Sequence, residues 1–181
     1  MSPDASMNHD FNQDFFSLFG LPRRFAIDAA GLDAAWRAAA AQVHPDRYAA
    51  SSDADKRSAL MLATRVNEGY QTLKSPLNRA RYLLQLSGVD TQEENNTRMP
   101  ADFLMAQMEW RESIDDARAD VDALESLSRR LRGEVRDLQT ELEAALDARA
   151  DLDAAAVLVR KLRFMEKLDQ EIGDAIESLL D

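Results

Sequence analysis

The chain has 181 residues, of which 45% are apolar and 30% charged, proportions typical of a folded globular protein. Its net charge of −11 is concentrated in residues 100–181, which carry 21 acidic and 11 basic side chains, and such a half disfavours a nucleic-acid partner. The chain has no cysteine, which excludes disulfides and thiolate-bound metal centres.

No apolar run approaches the ~18 residues that a membrane-spanning helix needs, so we expect no membrane partner. Residues 1–11 are polar and are predicted to form a mobile tail. They contain neither an apolar signal core nor an arginine-rich transit pattern, so we expect a cytoplasmic protein.

The composition predicts an all-α protein, because glycine and proline together number only 11 and strong helix formers are abundant. Asp28 is a suitable N-cap for the second helix, and Pro45 disfavours helical geometry just before it. Gly88 is expected to end the fourth helix. In chain order, the predicted helices of the first half cover about 15–19, 29–43, 53–74 and 76–86. The buried stripe predicted for the second helix consists of Leu32, Trp36, Ala39 and Val43.

The sequence VHPDRY joins the second and third helices, and it places four residues in a predicted loop: His44, Pro45, Asp46 and Arg47. A histidine and an aspartate can act as a general base and the group that orients it. Residues separated by one proline seldom face each other, however, and no obvious nucleophile accompanies them. One histidine and one carboxylate are also too few for a metal site. An ordinary turn is the remaining alternative to a functional motif.

Residues 89–99 have no helical apolar rhythm and are predicted to be a linker. From Pro100 onward the chain is predicted to be helical nearly throughout, in three long helices that can form a bundle. The same spacing also fits a long coiled-coil dimer, although a break near 147–153 favours a helical hairpin. The apolar positions of the last two helices are Val121, Leu124, Leu131, Val135, Leu138, Leu142 and Ala145, followed by Leu158, Leu162, Met165, Ile172, Ile176 and Leu179.

The helix that begins at Pro100 is predicted to have two apolar faces. At about 100° per residue, the core stripe consists of Phe103, Gln107, Trp110, Ile114 and Ala117. The opposite face carries Leu104, Met105, Met108, Glu109 and Glu112. Three large apolar residues on the expected solvent side indicate either a helix buried on two sides or an exposed binding patch with an acidic rim.

Taken together, the motifs resemble the HscB family of J-type co-chaperones of iron–sulfur cluster assembly. The HPD tripeptide between two helices is the J-domain signature, and the resemblance covers roughly residues 12–180. It rests on four further segments: FFSLFGLPRRFAID at 15–28, VNEGYQTLKSPLNRARYLL at 66–84, FLMAQMEWRE at 103–112 and RKLRFMEKL at 160–168. The resemblance implies a J-domain over 12–88, a linker over 89–99 and a three-helix scaffold-binding domain over 100–181.

The resemblance also implies two partners and no catalysis or cofactor of the chain's own. The loop would contact a DnaK-class chaperone, HscA, and stimulate its ATP hydrolysis through His44, Pro45, Asp46, Arg47 and Arg37. J-domains usually carry a more basic second helix, so Lys56, Arg57 and Arg65 are candidates to share that role. The scaffold protein IscU would bind Leu104, Met105, Met108, Glu109, Glu112 and Phe164.

Three alternatives to this function stay open. A general J-domain protein would serve a folding chaperone with other clients and would tolerate changes at Leu104 and Met108. A structural helical adaptor would be insensitive to His44→Gln. A hydrolase that uses His44 would show turnover on its own.

Overall fold

The computed structural model describes residues 13–93 and 99–181, and within these ranges the chain forms helices and no β-strand, which confirms the all-α prediction. The helices are α1 Phe15–Leu18, α2 Ala29–Gln42, α3 Asp53–Lys74, α4 Pro76–Leu86, α5 Ala101–Ala117, α6 Val121–Glu143 and α7 Leu152–Leu180. A 3-10 turn, Pro45–Tyr48, lies between α2 and α3, and a π-helical turn, Ala144–Ala148, extends α6.

The chain divides into two compact units, Met1–Arg79 and Ala80–Asp181. The division predicted from the sequence, at 12–88, 89–99 and 100–181, stays a prediction. Some of the predicted segments lie outside the described residues: the polar tail at 1–11, residue 12 of the predicted J-domain and residues 94–98 of the predicted linker.

In the first unit, α1 packs its phenylalanines against α3. The Asp14 side chain caps α1 by accepting a hydrogen bond from the Ser17 amide at 3.0 Å. Gly69 of α3 lies under these rings, where a Cβ would stand 2.9 Å from Cδ1 of Phe15. The absence of a side chain at Gly69 therefore sets how closely α1 approaches. The buried phenylalanines are Phe15, Phe16 and Phe19.

Helices α2 and α3 form a hairpin held by an aromatic and polar contact. The ring of Trp36 stacks on Tyr70 with centroids 4.5 Å apart, and its Nε1 donates a hydrogen bond to Asn67 at 3.0 Å. The Tyr70 hydroxyl donates to the Asp33 carboxylate at 2.7 Å, and this bond raises the pKa of Tyr70. Of the predicted α2 stripe, Leu32 and Val43 are buried, whereas Trp36 and Ala39 are half-buried.

In the second unit, α5, α6 and α7 share one apolar core, which confirms the predicted bundle. Its buried members are Met99, Phe103, Trp110, Ile114, Ala117, Leu124, Leu131, Met165, Leu168 and Ile172. Leu179, the last of the apolar positions at helical spacing on α7, is exposed and does not belong to this core. It lies two helical turns beyond Ile172, the last α7 residue of the buried cluster.

The break predicted near 147–153 marks the turn of the α6–α7 hairpin. After the π-helical turn, Ala150 adopts a left-handed φ of +49°, and Asp151 caps α7 by accepting a hydrogen bond from the Ala154 amide at 3.1 Å. The two helices then pack antiparallel within one chain. The apolar residues of α6 and α7 therefore pack against each other within one chain, and a coiled-coil dimer is not needed to explain their spacing.

The described start of the predicted linker is tied to the second unit. Glu93 accepts two hydrogen bonds from Arg81, at 2.7 and 2.5 Å, and one from the Thr91 hydroxyl at 2.6 Å. Arg163 of α7 lies 3.6 Å from the same carboxylate. Burial acts to raise the pKa of Glu93, but these bonds outweigh it and lower the pKa below its ordinary value.

Candidate functional site

The residues His44, Pro45, Asp46 and Arg47 lie together at the end of α2, and all four are exposed. They form the predicted connection between α2 and α3, in which His44 caps the short 3-10 turn Pro45–Tyr48. This turn has a local cause, because Nδ1 of His44 accepts a hydrogen bond from the Asp46 amide at 3.2 Å. Pro45 adds a φ suited to the first position of a helical turn.

The geometry of His44 and Asp46 does not suit a base and its orienter. The ring Nδ1 is 3.6 Å from the Asp46 carboxylate, which is too long for a hydrogen bond, and it already accepts the backbone amide. The side chains are 59% and 93% exposed, so neither lies in a desolvated site. With Nδ1 as an acceptor, Nε2–H remains as a donor that a partner protein can reach.

Basic side chains near the turn are few. Four of them are exposed: Arg37 on α2, Arg47 in the turn, and Lys56 and Arg57 on α3. Arg65 does not join this group, since it lies over the Phe15 ring at 4.7 Å and donates to the carbonyl of Gln13. Arg65 is half-buried and its charge is engaged with α1 and the residue before it, and the suggestion that it shares the basic role stays a prediction.

The second candidate surface is the outer face of α5. Leu104, Met105 and Met108 are exposed there, the two methionines at 64% and 74% of their surface. Glu109 and Glu112 lie exposed beside them. On the inner face of the helix, four of the five predicted core residues are buried and Gln107 is half-buried. Of the two interpretations of this helix, the exposed patch is the one that the structure supports.

Phe164 of α7 is only half-buried, and it packs at the edge of the core. Its ring meets Phe103 edge-on with centroids 5.7 Å apart. The guanidinium of Arg111 lies 5.6 Å from the ring and also donates to Glu171 at 2.9 Å. A partner that contacted Phe164 would therefore meet Arg111 as well, which the apolar spacing did not predict.

Helix α3 also carries exposed apolar residues that the sequence patterns above did not predict. Leu60 and Met61 are both largely exposed. The buried stripe of α3 contains Leu62, Val66 and Tyr70, and Leu60 lies about 120° around the helix from Val66 at the middle of that stripe. The same angular reasoning that identified the α5 patch would have found this one.

Other kinds of site receive no support in the part of the chain that the structure describes. In residues 13–93 and 99–181, no three histidine, cysteine or acidic side chains come together in a way that could hold a metal ion. Within the same ranges, no helix is long and apolar enough to cross a membrane.

Known proteins resemble this chain in both sequence and fold. The Co-chaperone protein HscB homolog of Azoarcus sp. (strain BH72) is 53% identical over 172 residues, which cover 94% of this chain and 97% of the relative. The chain belongs to the HscB family of co-chaperones. A family model described as the HSCB C-terminal oligomerisation domain matches residues 99–173.

Solved structures of HscB proteins agree with this assignment. Chaperone HscB from Vibrio cholerae superposes with a TM-score of 0.81 at 36% identity, covering 92% of this chain and 99% of that one. The human co-chaperone protein HscB has a TM-score of 0.86 at 27% identity, covering 91% and 82%. The role expected from the HPD turn and the α5 segment, a co-chaperone of iron–sulfur cluster assembly, is thereby confirmed.

Proposed function

We propose that this HscB-family chain binds the scaffold protein IscU through the outer face of α5 and delivers it to HscA, a DnaK-class chaperone. The HPD turn then stimulates ATP hydrolysis by the chaperone. The chain itself is no enzyme, holds no cofactor or cluster, and works in the cytoplasm. The observation that carries the proposal is the presence of two exposed surfaces in two different units, each without the features of a catalytic site.

The chaperone contact is assigned to His44, Pro45 and Asp46, with Arg37 and Arg47 as its basic flank. The 3-10 turn fixes the motif, since the proline φ and the hydrogen bond from the Asp46 amide to Nδ1 of His44 leave it little freedom. A fixed turn loses little conformational entropy on binding, which favours a transient but specific contact. The Nε2–H donor of His44 and the Asp46 carboxylate supply opposite hydrogen-bonding characters side by side.

The scaffold contact is assigned to Leu104, Met105 and Met108, with Glu109 and Glu112 at the rim and Phe164 at the edge. Exposed large apolar residues grouped on one helix face are unusual on a protein without a partner for them. Methionine suits a surface that must fit a partner, because its unbranched side chain adapts in shape. The acidic rim favours a partner whose facing surface is basic.

The scaffold assignment predicts that Leu104→Ala with Met108→Ala weakens the binding of purified IscU at least roughly tenfold, because central apolar contacts carry most of an interface's affinity. Calorimetric titration of the full chain with IscU measures this. Both positions are exposed, so the fold should be unchanged by circular dichroism.

The matched control is Met61→Ala, which removes an exposed methionine from the first unit and should leave the affinity for IscU as in the wild type. Equal affinity for IscU in the double variant and the wild type would remove the scaffold assignment. A chain that binds no IscU at all would instead point to a general J-domain protein with other clients.

A further inference from the structure

A small apolar cleft adjoins the HPD turn within the first unit. Its volume is about 240 Å³, and its walls come from the turn and from one face of α3. The residues Lys56, Ala59, Leu60 and Ala63 follow each other at helical intervals on that face, so α3 presents them together. The lining from the turn side consists of Val43, Pro45, Tyr48 and Ala49.

The small side chains of α3 create the cleft, and Leu60 forms an exposed wall of it. Ala59 and Ala63 leave room that longer side chains would fill, while Leu60 keeps 65% of its surface exposed. A closed apolar cavity of roughly 150 Å³ is enough to take up benzene. The cleft is therefore large enough for one aliphatic or aromatic side chain.

The cleft is continuous with the surface assigned above to the chaperone. Pro45 belongs to the HPD motif and also lines the cleft, so a protein that contacts His44 and Asp46 would cover the cleft mouth. Lys56 lines the cleft and Arg47 is exposed in the turn beside it, so two cations lie near the cleft together with the exposed Asp46. The first unit thus offers an apolar socket beside cations, which suits an acidic surface that carries one protruding apolar side chain.

We infer that the cleft formed by Val43, Pro45, Tyr48, Ala59, Leu60 and Ala63, the Leu60 cleft, receives an apolar side chain of the DnaK-class chaperone when the HPD turn is engaged. The inference rests on the proposed function, and it deepens that function by adding an affinity-determining contact to the polar contacts of His44 and Asp46. In this division the HPD turn triggers hydrolysis, and the Leu60 cleft sets how tightly the chaperone is held.

The test is the chaperone ATPase rate measured against increasing concentrations of the full chain. Leu60→Ala removes the exposed wall, so the half-maximal concentration should rise roughly tenfold while the maximal stimulation is kept, as expected for loss of one buried leucine contact. Ala63→Leu, which fills the cleft from within, should produce the same shift. His44→Gln should instead abolish stimulation at every concentration.

Met61→Ala is the matched control, because Met61 neighbours Leu60, is 61% exposed and does not line the cleft. Its titration curve should coincide with that of the wild type. The inference is overturned if Leu60→Ala behaves as the wild type, or if Met61→Ala weakens stimulation equally. It is also overturned if the cleft serves a second copy of the chain, which sedimentation would reveal as self-association lost in Leu60→Ala.

These outcomes separate the inference from the proposed function. If Leu60→Ala gives the wild-type ATPase curve while His44→Gln gives no stimulation, the cleft contact is disproved and the proposed function of the turn stands. Full stimulation by His44→Gln removes the proposed function of the turn itself, and with it the basis of the inference.

Discussion

Phe164 takes part in both the core and the proposed scaffold surface. Its ring packs edge-on against Phe103, which is buried, and it lies beneath the guanidinium of Arg111. Met108, in contrast, is 74% exposed. The two residues share the same proposed partner, but only Phe164 also supports the fold.

We therefore expect Phe164→Ala to lower the free energy of unfolding by about 1–3 kcal/mol, less than the 3–5 kcal/mol typical of a fully buried phenylalanine. Met108→Ala should change it by less than about 0.5 kcal/mol, as at other exposed positions. Urea unfolding followed by circular dichroism measures both. Equal stability of the two variants would show that Phe164 is a surface residue only.

The contact between α1 and α3 depends on Gly69, because a Cβ there would stand 2.9 Å from the Phe15 ring. Gly69→Ala should destabilise the first unit by about 1–3 kcal/mol through overpacking, despite the better helix propensity of alanine. Hydrogen exchange of amides in α1 to α3 measures this local stability.

Gly173→Ala is the control for that prediction. Gly173 lies in α7 with nothing within 4 Å of an added Cβ, so alanine there should stabilise the chain by about 0.5–1 kcal/mol. Slower hydrogen exchange of the α1 to α3 amides in Gly69→Ala than in the wild type would mean that alanine stabilises this position too. That result would disprove the close approach of α1 to α3.

The segment before residue 94 is held to α4 and α7 by Glu93, whose pKa is lowered in the folded chain. A lowered pKa means that the carboxylate contributes stability above its ordinary value of 4.5 and loses it as the pH falls through the folded value. Glu93→Gln should therefore be less stable than the wild type by roughly 1–2 kcal/mol at neutral pH.

The difference between Glu93→Gln and the wild type should shrink as the pH is lowered below 4.5, because the wild-type side chain then also becomes neutral. Thermal unfolding across that range measures it, with Glu177→Gln, an exposed α7 residue, as a control for the lost charge. A stability difference independent of pH would mean that the Arg81–Glu93 pair is not the cause.

At the scale of elements, helical periodicity predicted most of the fold and the exposed apolar face of α5. The two faces of α5 could be separated from the sequence because a buried stripe and an exposed stripe repeat at the same helical interval. The 3-10 turn could not be predicted in this way, because it depends on a hydrogen bond from the Asp46 amide to a side-chain acceptor, Nδ1 of His44. The Leu60 cleft was also missed, since α3 and the turn create it only when they pack together.

Phe164 shows a second limit of sequence reasoning. In the segment RKLRFMEKL, Phe164 precedes Met165 of the apolar positions of α7, and its side chain is half-buried. Nothing in that spacing indicates that Arg111, on another helix and held by Glu171, would lie over the ring. A contact of this kind joins residues that are distant in the sequence, so it can be identified only from the structure of the packed bundle.

Across the whole molecule, charge and surface character follow the division of roles. Residues 1–88 carry 10 basic and 9 acidic side chains, whereas residues 100–181 carry 11 and 21. A nearly neutral half with a few exposed cations is assigned to the chaperone, and a strongly acidic half is assigned to the scaffold. Electrostatic complementarity of this kind mainly sets association rates and partner choice.

The central claim is that one chain joins a chaperone contact and a scaffold contact that can be removed separately. The most direct measurement is HscA ATPase activity with and without IscU, for the wild type, His44→Gln and the Leu104→Ala, Met108→Ala double variant. His44→Gln should give no stimulation in either condition yet bind IscU normally. The double variant should keep the stimulation seen without IscU and lose the increase that IscU adds. If both folded variants lost both activities alike, the two-surface account would be contradicted.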